Sequence, residues 1–144
     1  MINYDNLGIS RKFYVVNKKV KHMFDMTFAQ TGMTGTQGAV LNFIYTQSKN
    51  QNVYQRDIEI EFEIRRSSVT SMVNNLEKGG FIKRERVPED SRLKRIVLTD
   101  KAISIAEQLQ NSIDEVNRAI LKGLNNEEIQ YLDLILTKIT ENLP

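Results

Sequence analysis

Apolar residues recur at helical spacing in the middle of the chain. Val69, Met72, Val73 and Leu76 stand at i, i+3, i+4 and i+7, which predicts a helix with one apolar stripe. The residues opposite that stripe are polar. Gly79-Gly80 then ends the pattern, because glycine readily adopts the left-handed conformation that terminates helices. The predicted helix therefore buries one side and presents a polar side outward.

Two strand-like runs follow this helix. They cover residues 81–87 and 93–98 and are separated by a turn, Pro88-Glu89-Asp90-Ser91. A helix with a polar outer face followed by a β-hairpin is the layout of a winged helix-turn-helix. In that layout the helix enters the major groove of DNA and the hairpin, or wing, reaches along the duplex.

Ahead of this segment, apolar periodicity predicts two helices. The first runs from about Ile9 to Phe28, with Ser10 as its N-cap. The second begins at a capping box, in which the side chains of Thr34 and Gln37 bond to each other's backbone. The first helix is apolar over a broad arc, which indicates more than one packing neighbour.

Residues 55–64 permit two interpretations. Apolar residues alternate with glutamates over positions 58–64, which is the pattern of a half-buried strand. Gln55-Arg56-Asp57, however, resembles the first turn of a helix, and a recognition helix needs a supporting helix just upstream. We interpret residues 55–61 as a short helix followed by a turn, and a partly extended segment is the alternative.

After the hairpin, Thr99 begins a long amphipathic helix that ends at Gly123, and a capping box of Asn125 with Glu128 opens a last helix. The residues after Arg95 carry four bases against eight acids, which makes them a poor surface for DNA. Their heptad-like apolar spacing is typical of helix-on-helix packing, either between two chains or within one.

These elements predict a mainly α fold, a winged helix-turn-helix with dimerisation helices at both ends of the chain. The DNA-binding region is predicted at residues 35–98. The helical dimerisation region is predicted at residues 1–34 and 99–144. A chain of 144 residues is long enough for one domain with a substantial core.

The composition excludes several kinds of chemistry. The chain has no cysteine and one histidine, so it offers no disulfide, no thiolate and no histidine-based metal centre. It also has no glycine-rich phosphate-binding loop, and we therefore expect no enzyme activity, no cofactor and no metal. No apolar run is long enough to span a membrane and the N-terminus has no apolar signal region, which predicts a cytoplasmic protein.

Positive charge is concentrated on the predicted helix and hairpin. Residues 65–95 contain nine lysines and arginines against four carboxylates, a net charge of +5. Because the whole chain carries +2, the other residues together carry −3. This distribution is typical of a surface that binds a polyanion. The alternative is a solvated helix and an edge hairpin whose charges deter aggregation.

The hairpin also carries a family resemblance. Asp90-Ser91-Arg92 followed by Ile96-Val97-Leu98-Thr99 resembles the wing signature of the MarR family of bacterial transcription regulators. The segments similar to the family's second helix, recognition helix and first wing strand, in the same order, are Thr34 with Gln37 and Leu41, Val69-Thr70, Leu76-Glu77-Lys78, and Gly80-Phe81-Ile82 with Arg84.

The resemblance implies a homodimer with interlaced terminal helices and two winged lobes on a near-palindromic operator. It also implies an effector site in the crevice between the dimer helices and the DNA-binding lobe. The chain departs from the family pattern at Glu59, where alanine is frequent, and at Ala102, where glycine is common. It departs again at Asn74-Asn75, where an acid–base pair is frequent, and this departure bears on which bases are read.

The candidate DNA contacts of the recognition helix divide by position. Arg65, Arg66 and Ser68 at its start are expected on phosphates, which position a protein without reading sequence. Asparagine pairs with adenine through N6 and N7, and hydroxyls donate or accept. The candidates for base edges, with Lys78 on the same outer face, are Ser67, Thr70, Ser71, Asn74 and Asn75.

The wing candidates are Arg84, Arg86, Asp90, Arg92, Lys94 and Arg95. Arg92 is expected in the minor groove, where degenerate base edges make groove width the main signal. Asp90 is expected to hold the Arg92 guanidinium in a bidentate pair. The alternative is that this pair only closes the turn with a surface salt bridge.

Aromatic and methionine side chains on the first two helices suit a flat lipophilic effector, although plain core packing is the alternative. These candidates are Phe13, Tyr14, Phe24, Met26 and Phe28 on the first helix and Phe43 and Tyr45 on the second.

The sequence therefore predicts a sequence-specific transcription regulator that binds double-stranded DNA as a homodimer, a repressor released by a small lipophilic or aromatic ligand. A winged-helix module for protein–protein contact, an adaptor or antirepressor, is the alternative from another class. Steep salt dependence and a sequence preference on duplex DNA discriminate between the two.

Overall fold

The computed structural model describes residues 8–144, which form six α-helices and one two-stranded antiparallel hairpin. This confirms the predicted mainly α fold with a wing. Residues 1–7, the beginning of the predicted dimerisation region, lie outside the described residues. The elements in chain order are α1 (Ile9–Phe28), a 3₁₀ turn (Ala29–Thr31), α2 (Gly35–Gln47), α3 (Gln55–Phe62), α4 (Arg66–Lys78), β1 (Ile82–Val87), β2 (Asp90–Leu98), α5 (Asp100–Leu121) and α6 (Asn126–Asn142).

The predicted N-cap at Ser10 is wrong. The Gly8 carbonyl accepts hydrogen bonds from the backbone N–H groups of Arg11 (3.0 Å) and Lys12 (3.2 Å). The helical hydrogen-bond pattern therefore begins before Ser10, which is the second residue of α1.

Two glycines let α2 approach α1 closely. A Cβ at Gly38 would lie 2.6 Å from the buried ring of Phe28, so the two helices can meet here only at a glycine. At Gly35 the backbone N–H donates to Oδ1 of Asp25 on α1 over 3.0 Å. The predicted capping box at the start of α2 is confirmed, with hydrogen bonds of 3.1 and 3.2 Å.

Residues 55–62 are helical, as Gln55-Arg56-Asp57 predicted. The alternation of apolar residues and glutamates, which is typical of a strand, does not reflect the structure here. Ile58 is buried and Phe62 is half-buried, because residues four apart share one face of a helix. Ile60 lies on another face and is 65% exposed. Glu63 adopts a left-handed conformation (φ 50°) and ends α3, so the predicted end at residue 61 is one residue short.

The apolar stripe of α4 lies at the centre of the lobe that α2, α3, α4 and the wing form. Val69, Val73 and Leu76 are buried in one core with residues from α2, α3 and both strands, namely Leu41, Ile44, Ile58, Ile82 and Ile96. The backbone N–H of Ile96 also donates to the Val53 carbonyl over 2.7 Å, which attaches β2 to the segment before α3. The stripe thus fixes the orientation of α4 against the wing.

Thr99 connects the end of the wing to its beginning. Its hydroxyl donates to the Gly80 carbonyl (2.6 Å) and accepts from the Ala102 N–H (3.3 Å), and its backbone N–H donates to the Phe81 carbonyl (3.0 Å). One residue therefore closes the base of the hairpin and caps α5.

Helix α5 packs against both α1 and α2, whereas α6 stands apart from the core. The buried residues of α5 include Ala102, Ala106 and Leu109. Within the described part of the chain, α6 has no buried residue although it is rich in apolar side chains.

We expect Thr99→Ala to lower the free energy of unfolding by about 1–2 kcal/mol, because it removes a helix cap together with the hydroxyl bond to Gly80. Thr46→Ala is the matched control, since the exposed Thr46 hydroxyl bonds only to the Asn42 carbonyl of its own helix. Denaturant unfolding at one fixed protein concentration measures both. Equal losses for the two variants would contradict the assigned role of Thr99.

Candidate nucleic-acid interface

Helix α4 exposes the polar face that its sequence predicts. All but one of its predicted DNA-contacting residues are exposed, namely Arg65, Arg66, Ser67, Ser68, Ser71, Asn74, Asn75 and Lys78. Arg65 occupies the N-cap position, where its side chain makes no capping hydrogen bond. The start of the helix therefore presents two guanidinium groups and two serines to solvent.

Thr70 is the exception, because it faces α3. Its hydroxyl donates to the Arg66 carbonyl (2.9 Å) and accepts from the Gln55 Nε2 group (2.7 Å). The side chain is partly buried between the two helices. It joins the supporting helix to the recognition helix, and its contact with a base stays a prediction.

Arg84 of β1 contacts the recognition helix. Its Nε donates to Oε2 of Glu77 over 2.7 Å, and its Nη2 donates to Oδ1 of Asn74. Both acceptors lie on α4, three residues apart. One guanidinium therefore attaches the first wing strand to the recognition helix, and a contact between Arg84 and DNA stays a prediction.

The wing turn is shorter than predicted. Only Pro88 and Glu89 form it, and β2 begins at Asp90 because Asp90 pairs with Val87 across the hairpin. The next pair is Arg86 with Lys94, so residues 91–93 bulge out of β2. Turn composition alone did not reveal this bulge.

Arg92 lies at the centre of the bulge, with its side chain 90% exposed. Oδ1 of Asp90 accepts the Arg92 backbone N–H (2.9 Å) and its Nε (3.4 Å). The predicted bidentate pair is therefore wrong in detail, because a single carboxylate oxygen accepts both bonds. The shorter bond is to the backbone, so Asp90 mainly shapes the bulge and leaves the guanidinium free at its outer end.

The remaining wing cations lie on two faces of the hairpin. Directly paired residues of an antiparallel hairpin share a face, so Arg86 and Lys94 lie together. Arg95 lies on the opposite face and donates through Nε (3.0 Å) and Nη2 (2.8 Å) to Oε2 of Glu85. Arg95 is thus paired within the hairpin, and its contact with DNA stays a prediction.

A cleft of about 660 Å³ lies between α3, α4 and the wing. Five cations line it against one carboxylate, Glu59, and we call it the cationic cleft. The five are Arg56, Arg66, Arg84, Arg92 and Lys94. Arg56 was not among the predicted DNA contacts, because its place in the sequence indicated only the start of a helix. A basic residue on the supporting helix, close to a predicted DNA-binding helix, was the available signal.

The structure does not bring the seven predicted effector residues together. Phe13, Tyr14 and Met26 are exposed on α1, and Phe43 packs edge-on against Phe62 with ring centroids 5.7 Å apart. Tyr45 lies elsewhere, beneath the Lys49 ammonium. Periodicity locates aromatic side chains on a helix, but it does not reveal which of them share one cavity.

Phe24 and Phe28 are the two that meet at a cavity. Their rings stack with centroids 5.9 Å apart and line a space of about 400 Å³ bounded by α1, α2, α5 and Phe62, here called the α1–α2 cavity. Asn42 also lines it, and the Asn42 Oδ1 atom is buried without a hydrogen-bond partner among the described residues. The cavity therefore combines an apolar lining with one unpaired acceptor.

No helix within residues 8–144 is long and apolar enough to cross a membrane.

Comparison with known proteins shows which class of protein the chain resembles. The MarR family model matches residues 31–93, which include α2, α3, α4 and most of the wing. The chain is 29% identical to the transcription regulator MarR from Oenococcus oeni PSU-1, with a TM-score of 0.82 over 93% of this chain and 99% of that one.

Two structures of MepR from Staphylococcus aureus are also similar. The MepR–DNA complex is 27% identical, with a TM-score of 0.87 over 96% of this chain and 100% of that one. A structure of MepR described as a regulator of the multidrug efflux pump MepA gives 25% identity and a TM-score of 0.69 at the same coverage. The chain therefore superimposes more closely on the MepR–DNA complex than on this second MepR structure.

The fold, with its exposed helix-and-wing surface, is that of winged-helix transcription regulators. Over residues 31–93 the chain is similar to the MarR family, and its fold matches that of solved MarR-family regulators. Its relatives are regulators rather than enzymes, in agreement with the expectation from composition.

Proposed function

We propose that this protein is a cytoplasmic, homodimeric regulator that binds a near-palindromic operator in double-stranded DNA and represses transcription until a small lipophilic or aromatic ligand releases it. The observation that carries the proposal is the contiguity of the exposed polar face of α4 with the cationic cleft. A helix of this polarity suits the major groove, and cations beside it suit the phosphates that border the groove.

Within the recognition helix, we assign phosphates to the residues at the start of α4 and base edges to those further along. Arg65, Arg66 and Ser68 are exposed where the helix begins, and their charge and hydrogen-bond donors fit a phosphate backbone. Ser67, Ser71, Asn74 and Asn75 are exposed along the outer face, and their short polar side chains fit base edges. Lys78 ends this face.

On the wing, we assign Arg92 to the minor groove. The bulge displaces it from the strand pairing, its guanidinium is the most exposed of the wing's ion-paired arginines, and Asp90 holds its backbone. A narrow A·T-rich minor groove has an enhanced negative potential that favours an inserted guanidinium.

Dimerisation explains the apolar surface of the terminal helices. Ile9, Tyr14 and Met26 of α1 and Tyr131 and Ile135 of α6 are each more than half exposed. A helix with this many apolar residues and none buried gains stability by covering them, and a second copy supplies matching helices. Two copies also present two recognition helices to two half-sites.

The α1–α2 cavity supports the proposed release by a ligand. It lies where α2 of the DNA-binding lobe meets α1 and α5, so an occupant contacts both parts of the protein. The stacked rings of Phe24 and Phe28 suit a flat apolar group. The unpaired Oδ1 of Asn42 favours a ligand that carries an O–H or N–H donor, because a buried acceptor without a partner is costly.

We expect Arg92→Ala to weaken operator binding at least about tenfold, since each of two lobes loses roughly 1–3 kcal/mol. The log–log salt slope should become shallower by up to about two. Asp90→Ala should act in the same direction more weakly, because Asp90 orients Arg92. The duplexes come from selection on a random pool, are given A·T or G·C flanks, and are titrated at several salt concentrations.

Lys83→Ala is the matched control for Arg92→Ala, because Lys83 carries the same charge on the hairpin face that holds Glu85. It should leave the flank preference intact. If Arg92→Ala binds both flanks as the wild type does, the wing has no part in minor-groove reading. Binding that is insensitive to both salt and sequence would instead favour the protein–protein module.

We expect light scattering at micromolar concentration to give about twice the chain mass of 16.7 kDa. Ile135→Asp should shift the mass toward the monomer, because it places a charge on the apolar face of α6. Gln130→Asp, on the polar side of the same helix, should not. A wild-type mass near that of one chain would exclude the dimer.

We expect 2-naphthol to raise the melting temperature and release the operator at lower concentration than 2-methoxynaphthalene, which lacks the hydroxyl donor. The difference should be about fivefold, the equivalent of one net hydrogen bond. Asn42→Leu should make the two compounds equal, whereas Asn50→Leu, in the loop after α2, should not. Equal effects of the two compounds on the wild type would contradict the role of Asn42.

A further inference from the structure

We propose that Asn74 reads the operator through its amide hydrogens alone, because Arg84 holds its oxygen toward the wing. This inference rests on the proposed function and specifies which base edges the recognition helix accepts. It follows from three side chains: Asn74 and Glu77 on α4 and Arg84 on β1.

The chemistry of the three groups fixes the orientation of the amide. Guanidinium has five N–H donors and no acceptor, so the Asn74 atom that faces Arg84 has to be the oxygen. Glu77 in its ionised form has only acceptors, and it holds the Arg84 Nε at 2.7 Å. Turning the amide over would set its NH₂ group against the guanidinium, donor against donor. The Asn74 NH₂ group therefore lies on the side away from Arg84.

Because Asn74 is exposed, the orientation of its amide determines which base edges it can contact. The residue lies on the outer side of α4, while Arg84 is half-buried beneath it. An asparagine that is free on both sides pairs with adenine, because its oxygen accepts from N6 and its NH₂ donates to N7. Because the oxygen points inward to the half-buried Arg84, the amide does not present its oxygen and its NH₂ group side by side to one adenine edge, and the bidentate pair is lost.

The edges that remain favourable are those with acceptors. In the major groove, guanine offers N7 and O6, thymine offers O4, and adenine offers N7 beside its N6 amino donor. Cytosine presents its N4 amino donor there and is the least favourable partner for an NH₂ group. Asn74 should thus select guanine or thymine over cytosine, and adenine should gain nothing from its N6 amino group.

Asn74→Asp is the decisive variant, because aspartate has the same shape and keeps an oxygen for Arg84. Its second oxygen accepts instead of donating, so the preferred edge should change to the amino groups of cytosine or adenine. Arg84→Met removes the donor that holds the amide and should raise the preference for adenine. Arg86→Met is the control, because Arg86 lies on the same strand and is exposed, and its loss should weaken all duplexes alike.

The experiment begins with duplexes recovered from a random pool by the wild-type protein. Every base pair of the best duplex is then varied, and the position whose discrimination Asn74→Ala abolishes is taken as the Asn74 position. There the wild type should prefer guanine or thymine over cytosine by about fivefold or more. Asn74→Asp should reverse that order. Thermal unfolding checks that each variant is folded. Glu77→Gln keeps the side-chain shape but removes the charge that holds Arg84, so it should change the base preference in the same direction as Arg84→Met.

Three results would overturn the inference: a wild-type preference for adenine at that position, an unchanged preference in Asn74→Asp, or no position that depends on Asn74. A wild-type protein that selects no duplex at all would overturn the proposed function as well. A clear operator in which residue 74 has no part would overturn only this inference.

Discussion

The burial of one side of α4 determines how the lobe of α2, α3, α4 and the wing is arranged. Val69, Val73 and Leu76 contact apolar residues of α2, α3 and both wing strands, so the helix cannot rotate without exposing them. The same packing therefore decides which residues face outward. Ser67, Ser71 and Asn74 are exposed because the stripe opposite them is not.

Carboxylates then divide the cations of the wing into two groups. Within residues 8–144, every ion pair involves a wing arginine: Arg84 with Glu77, Arg92 with Asp90 and Arg95 with Glu85. One of these pairs attaches Arg84 to α4, and another holds Arg95 against Glu85 within the hairpin. The third leaves its guanidinium almost fully exposed at the tip. Part of the positive charge of the segment is thus used in contacts within the fold, and part is left exposed to solvent at the tip.

The sequence predicted the features that depend on neighbours along the chain. The stripe of α4, the capping boxes of α2 and α6 and the start of α3 all follow from spacing and local hydrogen bonding, and the structure confirms them. Features that depend on pairing across the fold were missed. The bulge at residues 91–93 arises from strand register, and the contacts of Arg84 and Thr70 join elements that are separate in sequence. The seven predicted effector residues were likewise placed on two helices by periodicity, which does not reveal that only Phe24 and Phe28 line one cavity together.

The hydrogen bond from Ile96 to Val53 has a mechanical consequence for the wing. It joins β2 to the segment that leads into α3, while Thr99 fastens the same strand to the residues before β1. The root of the hairpin is therefore held on both sides, and bending that leaves these bonds intact has to occur in the outer part of the hairpin, residues 86–94. The bulge lies in that outer part, where strand pairing is interrupted. The tip, which carries Arg92, can therefore be displaced without breaking the bonds at the root or moving α4.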